Sequence, residues 1–354
     1  MPQPRSSGYF RTTYSQDMSL LQTRGQRGAT IAGLLIAGAF PFVASPFMLD
    51  LGNQVLIAVV GAVALMLLTG YAGQVSLGHA GLMAAGAFTT GILARETGAP
   101  FWITLPAAGL MGAVIGFVFG LPSLRLRGLY LAVSTLALHF IVIHAGQEYE
   151  TRRGLSSGVV IEPPSIAGVE LFDPRAWYAV LLVCAGATVI FALNLLRSRT
   201  GRAWRALHGR EPVAEALGIP VAQVKVSAFV VASTLTALSG SLFAYYRGFV
   251  SSEAFSLFLT IQYVAMIIIG GMGSILGAVL GAAFVTLFPY LIESMMGLIP
   301  GGDSMSSIIF AVNYAAFGLV MIVFLLFEPQ GLVGIWRRVR NWFLLWPFRQ
   351  KPLR

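Results

Sequence analysis

One short stretch in the first quarter of the chain is polar and glycine-rich, although the sequence on both sides of it is apolar. It reads GYAGQVSLGHA over residues 70–80 and contains no formal charge. Gln74, Ser76 and His79 supply hydrogen-bond donors and acceptors, while the glycines disfavour a regular helix. Backbone of this kind cannot face lipid unpaired. The stretch therefore predicts either a broken helix that lines a solute pathway or a capped turn at the membrane surface.

A second pair of polar residues lies in a later apolar stretch. Thr135 and His139 are four residues apart, so a helix places them on one face. A threonine hydroxyl usually bonds a carbonyl of its own helix, whereas an imidazole in a membrane needs a partner. Our candidates for a translocation pathway are Gln74, Ser76, His79, Thr135 and His139.

The chain lacks the residues for nucleotide hydrolysis or for a cysteine-based metal site. A phosphate-binding loop requires Gly-Lys-Ser/Thr, but Lys225 follows a valine and Lys351 follows a glutamine. Cys184 is the single cysteine, and we predict neither a metal nor a cofactor. Ser239 with His139 as its base would suit an intramembrane protease, but the glycine expected two residues before the serine is absent. We therefore predict that the chain is not an enzyme.

The composition indicates which elements must position these side chains. The 354 residues are 56% hydrophobic and 10% charged, with a mean hydropathy of +0.78, whereas soluble domains are about 25% charged. Crossing a bilayer takes about 20 apolar residues in a helix. The stretches that qualify, or nearly so, are 29–49, 53–70, 80–94, 101–121, 129–146, 176–196, 226–246, 257–270, 275–292 and 306–327. We predict an all-α polytopic membrane protein with about ten transmembrane helices, of which the third and eighth are short or broken.

The charged residues predict the orientation. With a cytoplasmic N-terminus, 18 of the 23 lysines and arginines fall on the cytoplasmic side, and ten of the 14 acidic residues fall on the other. The positive-inside rule therefore favours both termini in the cytoplasm. The net charge of +9 reflects this topology, and nucleic acid is not an expected partner.

The same assignment divides the chain into three parts. We expect a cytoplasmic segment over 1–28, a transmembrane domain over 29–328 whose first span is not cleaved, and a basic cytoplasmic tail over 329–354. Every charged residue falls at or beyond the end of a span in this assignment. That placement argues against a carrier that binds its coupling ion at a buried charge.

Glycines recur at helical spacing in two of the apolar stretches. The two sets are Gly112, Gly116 and Gly120, and Gly273, Gly277 and Gly281. Glycine on one helical face lets two helix backbones approach closely. We therefore expect close helix contacts there, within the chain or with a partner subunit.

The longest polar insert on the expected cytoplasmic side spans 197–225. Pro212 suits the first turn of a helix and Gly218 suits a C-terminal cap, so 211–217 is expected to form a short helix. Trp204 and Leu207 give the preceding segment an apolar side. The insert is either a basic loop on anionic headgroups or a rigid element on which a soluble subunit could act.

Several motifs together resemble one known family. GYAGQVSLGHAG over 70–81 resembles the signature of the LivM-type permeases of branched-chain amino acid ABC importers. Further similar segments are 124–132, 198–219, 237–244, 248–251 and 270–274. The matches run in order over most of the chain, from about residue 53 to Gly331.

The resemblance implies a multi-pass permease of the bacterial plasma membrane. Its expected partners are a second homologous permease, two ATP-binding subunits and an extracytoplasmic solute-binding protein, and 29–328 would be the permease domain. By analogy, the residues that dock the ATPase are Arg202, Arg205, Glu211, Glu215, Ala216 and Gly218. The chain would form half of a pathway for branched-chain or related amino acids. A stand-alone carrier or channel for a small polar solute is the alternative.

Overall fold

The computed structural model describes residues 24–126, 128–155, 158–166, 169–170, 173–296, 309–328 and 330–345. Its helices are α1 (Arg24–Val43), α2 (Pro46–Leu65), α3 (His79–Thr97), α4 (Phe101–Gly120), α5 (Leu129–Arg152), α6 (Pro174–Leu195), α7 (Arg199–Gly209), α8 (Glu211–Ala216), α9 (Val221–Arg247), α10 (Leu257–Gly270), α11 (Ile275–Met296), α12 (Ile309–Phe327) and α13 (Gly331–Leu345). Four two-residue strands are β1 (Val159–Val160), β2 (Ser165–Ile166), β3 (Val169–Glu170) and β4 (Phe249–Val250). The tails over 1–23 and 346–354, which fall in the segments expected to be cytoplasmic, lie outside the described residues.

The expected all-α membrane architecture is confirmed. Each of the ten apolar stretches coincides with a helix. Among the described residues, six helices are long and apolar enough to cross a membrane, and α12 with α13, which meet at 52°, would make a seventh. The apolar parts of α1 and α10 are shorter. The total of ten spans and the side on which the termini lie stay predictions.

Two charged residues lie further inside the helices than expected. Asp50 falls within α2, because the Ser45 side chain caps that helix and Pro46 opens it, seven residues before the expected start of the span. Lys225 falls in the first turns of α9 and is 5% exposed. Both residues thus lie within helices, and the rule that every charge falls at or beyond a span end stays a prediction.

Helix α9 is the central packing element, and glycines allow its close contacts. A Cβ atom on Gly240 would lie 1.9 Å from the Met83 carbonyl oxygen of α3, and one on Gly112 would lie 2.5 Å from the Ser233 carbonyl oxygen. Gly116 also faces Ser233. The first glycine set thus confirms the expected close contact, here within the chain. In the second set, Gly273 lies in the turn before α11 rather than on that helix.

The long helices give the bundle two distinct ends. Helix α6 runs from one end to the other, and α9 runs back in the opposite direction. The helices α7 and α8, which connect α6 to α9, therefore lie at the end where α6 stops. At the other end β1 pairs antiparallel with β4, with Val159 opposite Val250. We name these the α7–α8 end and the β1–β4 end. Strands β2 and β3 form a separate antiparallel pair.

Candidate functional site

A cavity of about 290 Å³ lies among α2, α9, α10 and α11. Its polar lining residues are Gln54, Tyr246, Arg247, Gln262, Tyr263, Thr286 and Tyr290. Its apolar lining includes Ile57, Met83, Phe243, Leu259 and Met266. A mostly apolar wall with a few convergent polar groups is typical of a small-molecule site.

Around this cavity some polar groups are hydrogen-bonded to each other, and one hydroxyl has no described partner. Gln54 donates from Nε2 to Asp50 Oδ2 at 2.7 Å and accepts at Oε1 from the Tyr290 hydroxyl at 3.2 Å. The Thr286 hydroxyl oxygen is buried and has no partner among the described residues. A buried polar group without a partner is costly. Thr286 lines the cavity with a hydroxyl oxygen that has no partner among the described residues.

Helix α2 continues as a π-helical turn over Met66–Tyr71, and the chain between that turn and α3 is not helical. Gln74 and Ser76 lie in this segment and are buried. Gln74 Nε2 donates to the Lys225 carbonyl oxygen at 3.3 Å, and its Oε1 has no partner among the described residues. Ser76 accepts from the Gly78 amide at 3.3 Å. We call residues 72–78 the unwound segment.

Thr135 holds the unwound segment against α5. Its hydroxyl donates to the Ala132 carbonyl oxygen and accepts from the Leu77 amide, both at 2.9 Å. Gly78 permits this approach, since a Cβ atom there would lie 2.5 Å from the Thr135 carbonyl oxygen. The Leu77 amide, which the helix break leaves without a helical partner, is therefore paired with protein.

The two candidate histidines are both buried near the start of α3. The His79 ring lies 4.5 Å from the Tyr263 ring, and its Nδ1 is 3.4 Å from the Thr236 hydroxyl. His139 lies against Gly81, where a Cβ atom would be 2.6 Å from the His139 Cα. His79 Nε2 and His139 Nδ1 have no partner among the described residues.

The five candidate pathway residues are not among the residues that line this cavity. Tyr263 joins the two groups, because it lines the cavity and contacts His79. Their assignment to the pathway stays a prediction. The lining residues that sequence reasoning missed include Gln262, whose amide in the otherwise apolar helix α10 was an available signal.

The insert over 197–225 forms two helices, as predicted for its second half. Helix α8 covers Glu211–Ala216 with Pro212 in its first turn. Gly218 follows with a φ of +80°, and the Ile219 amide donates to the Ala214 carbonyl oxygen at 3.1 Å. This is the glycine-terminated helix end that the spacing indicated. Helix α7 buries Trp204 and Leu207.

The six candidate coupling residues differ in what they contact. Arg202 donates to the Arg197 carbonyl oxygen at 2.6 Å, and Arg205 donates to the Leu196 carbonyl oxygen. Both arginines therefore satisfy carbonyls just beyond the end of α6. The members that are exposed at and after α8 are Glu215, Ala216 and Gly218.

Glu211, the sixth candidate, forms an ion pair within the chain. Its carboxylate lies 2.7 Å from Lys225 Nζ, and the two side chains are 19% and 6% exposed. Lys225 Nζ also approaches the Ser123 carbonyl oxygen at 3.5 Å, while the Lys225 carbonyl oxygen accepts from Gln74. Glu211 thus fixes α8 to α9 and, through Lys225, to the unwound segment.

A second contact joins the insert to the unwound segment. Gly73 has a φ of +70° and faces His208 of α7, whose Nδ1 would lie 2.9 Å from a Cβ atom at that position. A side chain at 73 would therefore meet both backbone strain and a clash. Helix α7 lies directly on the turn that begins the unwound segment.

Ser239 has a structural contact. It is fully buried, and its hydroxyl donates to the Ile57 carbonyl oxygen of α2 at 3.0 Å. That bond fastens α9 to α2.

Comparison with known proteins identifies the family. The family described as "Branched-chain amino acid transport system / permease component" matches residues 47–326. The high-affinity branched-chain amino acid transport system permease protein LivM of Escherichia coli is 30% identical over 331 residues, covering 87% of this chain and 75% of that protein. The probable LivM of Methanocaldococcus jannaschii is 25% identical, over 64% of this chain and 66% of that protein.

A permease that is named for a different solute is also similar to this chain. The autoinducer 2 import system permease protein LsrC of Klebsiella pneumoniae is 29% identical over 185 residues, covering 50% of this chain and 51% of that protein. No solved structure matches significantly. The family match covers most of the chain and includes the unwound segment, the cavity and the α7–α8 insert. The chain therefore belongs to the family of branched-chain amino acid transport permease components, and it is a multi-pass protein of the inner membrane.

Proposed function

We propose that this chain forms half of the translocation pathway of an ABC importer for branched-chain or related amino acids. A second homologous permease would supply the other half, two ATP-binding subunits the energy, and an extracytoplasmic binding protein the solute. The family match and the E. coli relative support this assignment. The lack of any Gly-Lys-Ser/Thr motif means that ATP hydrolysis would take place on a partner.

The observation that carries the proposal is the α7–α8 insert, which has a buried anchor and an exposed tip. Trp204 is fully buried, and its Nε1 donates to the Ser227 hydroxyl of α9 at 3.1 Å. At the tip, Val213 and Leu217 are 51% and 75% exposed. They are four residues apart, so they share one side of the tip. An exposed apolar pair on a firmly anchored helix suits insertion into a groove of a partner protein.

Contacts within the chain would transmit a movement of the insert to the unwound segment. Glu211 binds Lys225, the Lys225 backbone binds Gln74, and His208 lies against Gly73. A displacement of the α7–α8 insert would therefore act on the unwound segment at two residues, Gln74 and Gly73. Within the coupling set, Glu215, Ala216 and Gly218 are the docking residues in this proposal. Arg202, Arg205 and Glu211 hold the insert in place.

The proposal also assigns an orientation. The α7–α8 end would face the cytoplasm, where ATP-binding subunits reside, and the β1–β4 end would face the binding protein. This orientation agrees with the excess of lysine and arginine expected on the cytoplasmic side. Both termini would then be cytoplasmic.

The test uses Glu215→Arg and Leu217→Asp in the complete complex. Both changes alter exposed side chains of the tip, so we expect the chain to fold normally while association with the ATPase weakens about tenfold or more. ATPase recovery with the tagged permease and ATP-driven leucine uptake into proteoliposomes measure the effect. Val160→Asp, at a side chain 64% exposed near the other end, is the matched control for ATPase recovery.

Two results would contradict the proposal. Unchanged ATPase recovery and uptake in both variants would remove α8 from the docking surface. Leucine uptake by the chain alone, without ATP or an ATPase, would instead establish the stand-alone carrier.

A further inference from the structure

Two opposite charges line one cavity at the β1–β4 end. This second cavity, of about 350 Å³, is lined by Asp50 and Arg247 together with Tyr246. Tyr246 and Arg247 also line the 290 Å³ cavity. The two spaces are therefore neighbours, with these two residues between them.

Asp50 is held by neutral donors. The Tyr246 hydroxyl donates to Oδ1, and Gln54 Nε2 donates to Oδ2 at 2.7 Å. No lysine or arginine of the described residues lies within ion-pair distance of this carboxylate. Asp50 therefore has a fixed position and forms no ion pair with a described residue.

Arg247 is the corresponding cation. It is the last residue of α9, it is exposed, and its Cζ lies 5.8 Å from the centre of the Phe243 ring. It forms no ion pair with a described residue, whereas Arg153, on the same end, pairs with Glu96 at 2.9 Å. The guanidinium is thus available for a carboxylate from outside the chain, with donors in a geometry that matches one.

We propose that Asp50 and Arg247 form the receptor for a zwitterionic amino acid at the β1–β4 end. Asp50 would receive the ammonium group and Arg247 the carboxylate. The aliphatic side chain would enter the adjoining 290 Å³ cavity, against Ile57, Met83 and Leu259. This inference rests on the proposed import of amino acids and adds the chemical groups that the permease itself recognises.

The charges favour a zwitterion over a neutral solute such as an amide. A carboxylate and a guanidinium that stand unpaired around one cavity each gain from an opposite charge. A neutral solute would displace their water without replacing it by a counter-charge. A solute with only one charge would leave either Asp50 or Arg247 uncompensated.

The experiment measures ligand-induced thermal stabilisation of the purified permease–ATPase complex without the binding protein. The probes are leucine, 3-methylbutylamine, which lacks the carboxylate, and 4-methylpentanoate, which lacks the amine. Binding to the folded state raises the melting temperature in proportion to its saturation. We expect leucine to stabilise the complex at concentrations about tenfold lower than either analogue requires.

The variants Asp50→Asn and Arg247→Gln then separate the two charges. We expect each to weaken leucine binding about tenfold or more. Arg247→Gln should make 3-methylbutylamine as effective as leucine, and Asp50→Asn should do the same for 4-methylpentanoate. A merely structural role would not exchange these preferences. Glu162→Gln and Arg95→Gln, at exposed residues of the same end, are the charge-matched controls.

The possible failures are distinguishable. Arg247 is exposed and unpaired, so its variant tests the inference even if Asp50→Asn folds poorly. Equal stabilisation by all three probes, or unchanged leucine affinity in Arg247→Gln, would overturn the receptor. ATP-driven leucine uptake that persists without any leucine binding to the complex would overturn it as well, and would leave the importer assignment intact. Loss of uptake in the unaltered complex would instead refute the proposed function.

Discussion

The two ends of the bundle use opposite charges differently. At the α7–α8 end, Lys225 and Glu211 meet at 2.7 Å and are largely shielded from solvent. At the β1–β4 end, Asp50 and Arg247 line one cavity, and neither forms an ion pair with a described residue. The paired charges join elements of the chain, whereas the unpaired charges are the groups of the proposed receptor.

The difference follows from the cost of removing charge from water. A buried charge requires a partner and hydrogen bonds, or its burial is strongly unfavourable. Lys225 is inside α9, so its stability depends on Glu211 and on the Ser123 carbonyl. Arg247 ends the same helix at an exposed position and needs no such partner. One helix thus carries a paired cation near its start and an exposed cation, with no ion pair to a described residue, at its end.

The largest effect on the difference between the two ends is expected from removing the Lys225–Glu211 ion pair at the α7–α8 end. Lys225→Met removes the ammonium that Glu211 contacts at 2.7 Å, and removal of one partner of a buried pair typically costs about 3–5 kcal/mol. We expect a large fall in the melting temperature of the purified complex and loss of coupling between ATP hydrolysis and uptake.

The control for this variant lies at the other end. Arg152 and Glu148 form an exposed pair at 2.7 Å, with side chains 77% and 48% exposed, and such pairs contribute at most about 1 kcal/mol. Arg152→Met should therefore leave the melting temperature almost unchanged. Lys225→Met combined with Glu211→Gln should recover part of the lost stability. A double variant as unstable as the single one would show that packing of Lys225, rather than charge, matters.

A smaller effect is expected from the contact that holds the unwound segment. Thr135→Val keeps the shape of the side chain but removes the acceptor of the Leu77 amide, at a cost of about 1–3 kcal/mol for a buried unpaired donor. We expect a lower melting temperature and slower uptake. Thr188→Val is the matched control, because among the described residues its hydroxyl donates to the Cys184 carbonyl oxygen of its own helix. Equal effects of the two changes would exclude a special role for the segment contact.

Sequence reasoning predicted local features well and long-range ones poorly. Pro212 and Gly218 bracket α8 because helix starts and ends depend on neighbouring residues. The cavity was not predicted, because its hydrogen bonds join distant residues, such as Gln54 and Tyr290, which are 236 positions apart. Such pairs have no signal in hydrophobic periodicity.

The start of the helix that contains Asp50 was missed for a different reason. The run of apolar residues was counted from residue 53, after the charge, although Ser45 and Pro46 form a helix start. An N-terminal capping signal therefore marks where a membrane helix begins better than the first uncharged residue does. With that start, Asp50 lies one helical turn before Gln54 and on the same side, toward the cavities.

The smallest predicted effect sharpens the assignment of the β1–β4 end. Tyr246→Phe removes the hydroxyl that donates to Asp50 Oδ1 but leaves the charge and the Gln54 contact in place. Because Asp50 is only half-buried, we expect a loss of about 1 kcal/mol. Melting temperature and the leucine concentration for half-maximal stabilisation are the measurements, and the latter should change by less than about threefold.

Tyr149→Phe provides the exposed counterpart, since the Tyr149 hydroxyl donates to Glu96 at 2.8 Å on the protein surface. That variant should change neither quantity. If Tyr246→Phe weakened leucine binding as strongly as Asp50→Asn, the hydroxyl rather than the carboxylate would be the group that meets the ammonium. A small effect from Tyr246→Phe beside a large one from Asp50→Asn would assign recognition to the charge of Asp50, which lines the same cavity.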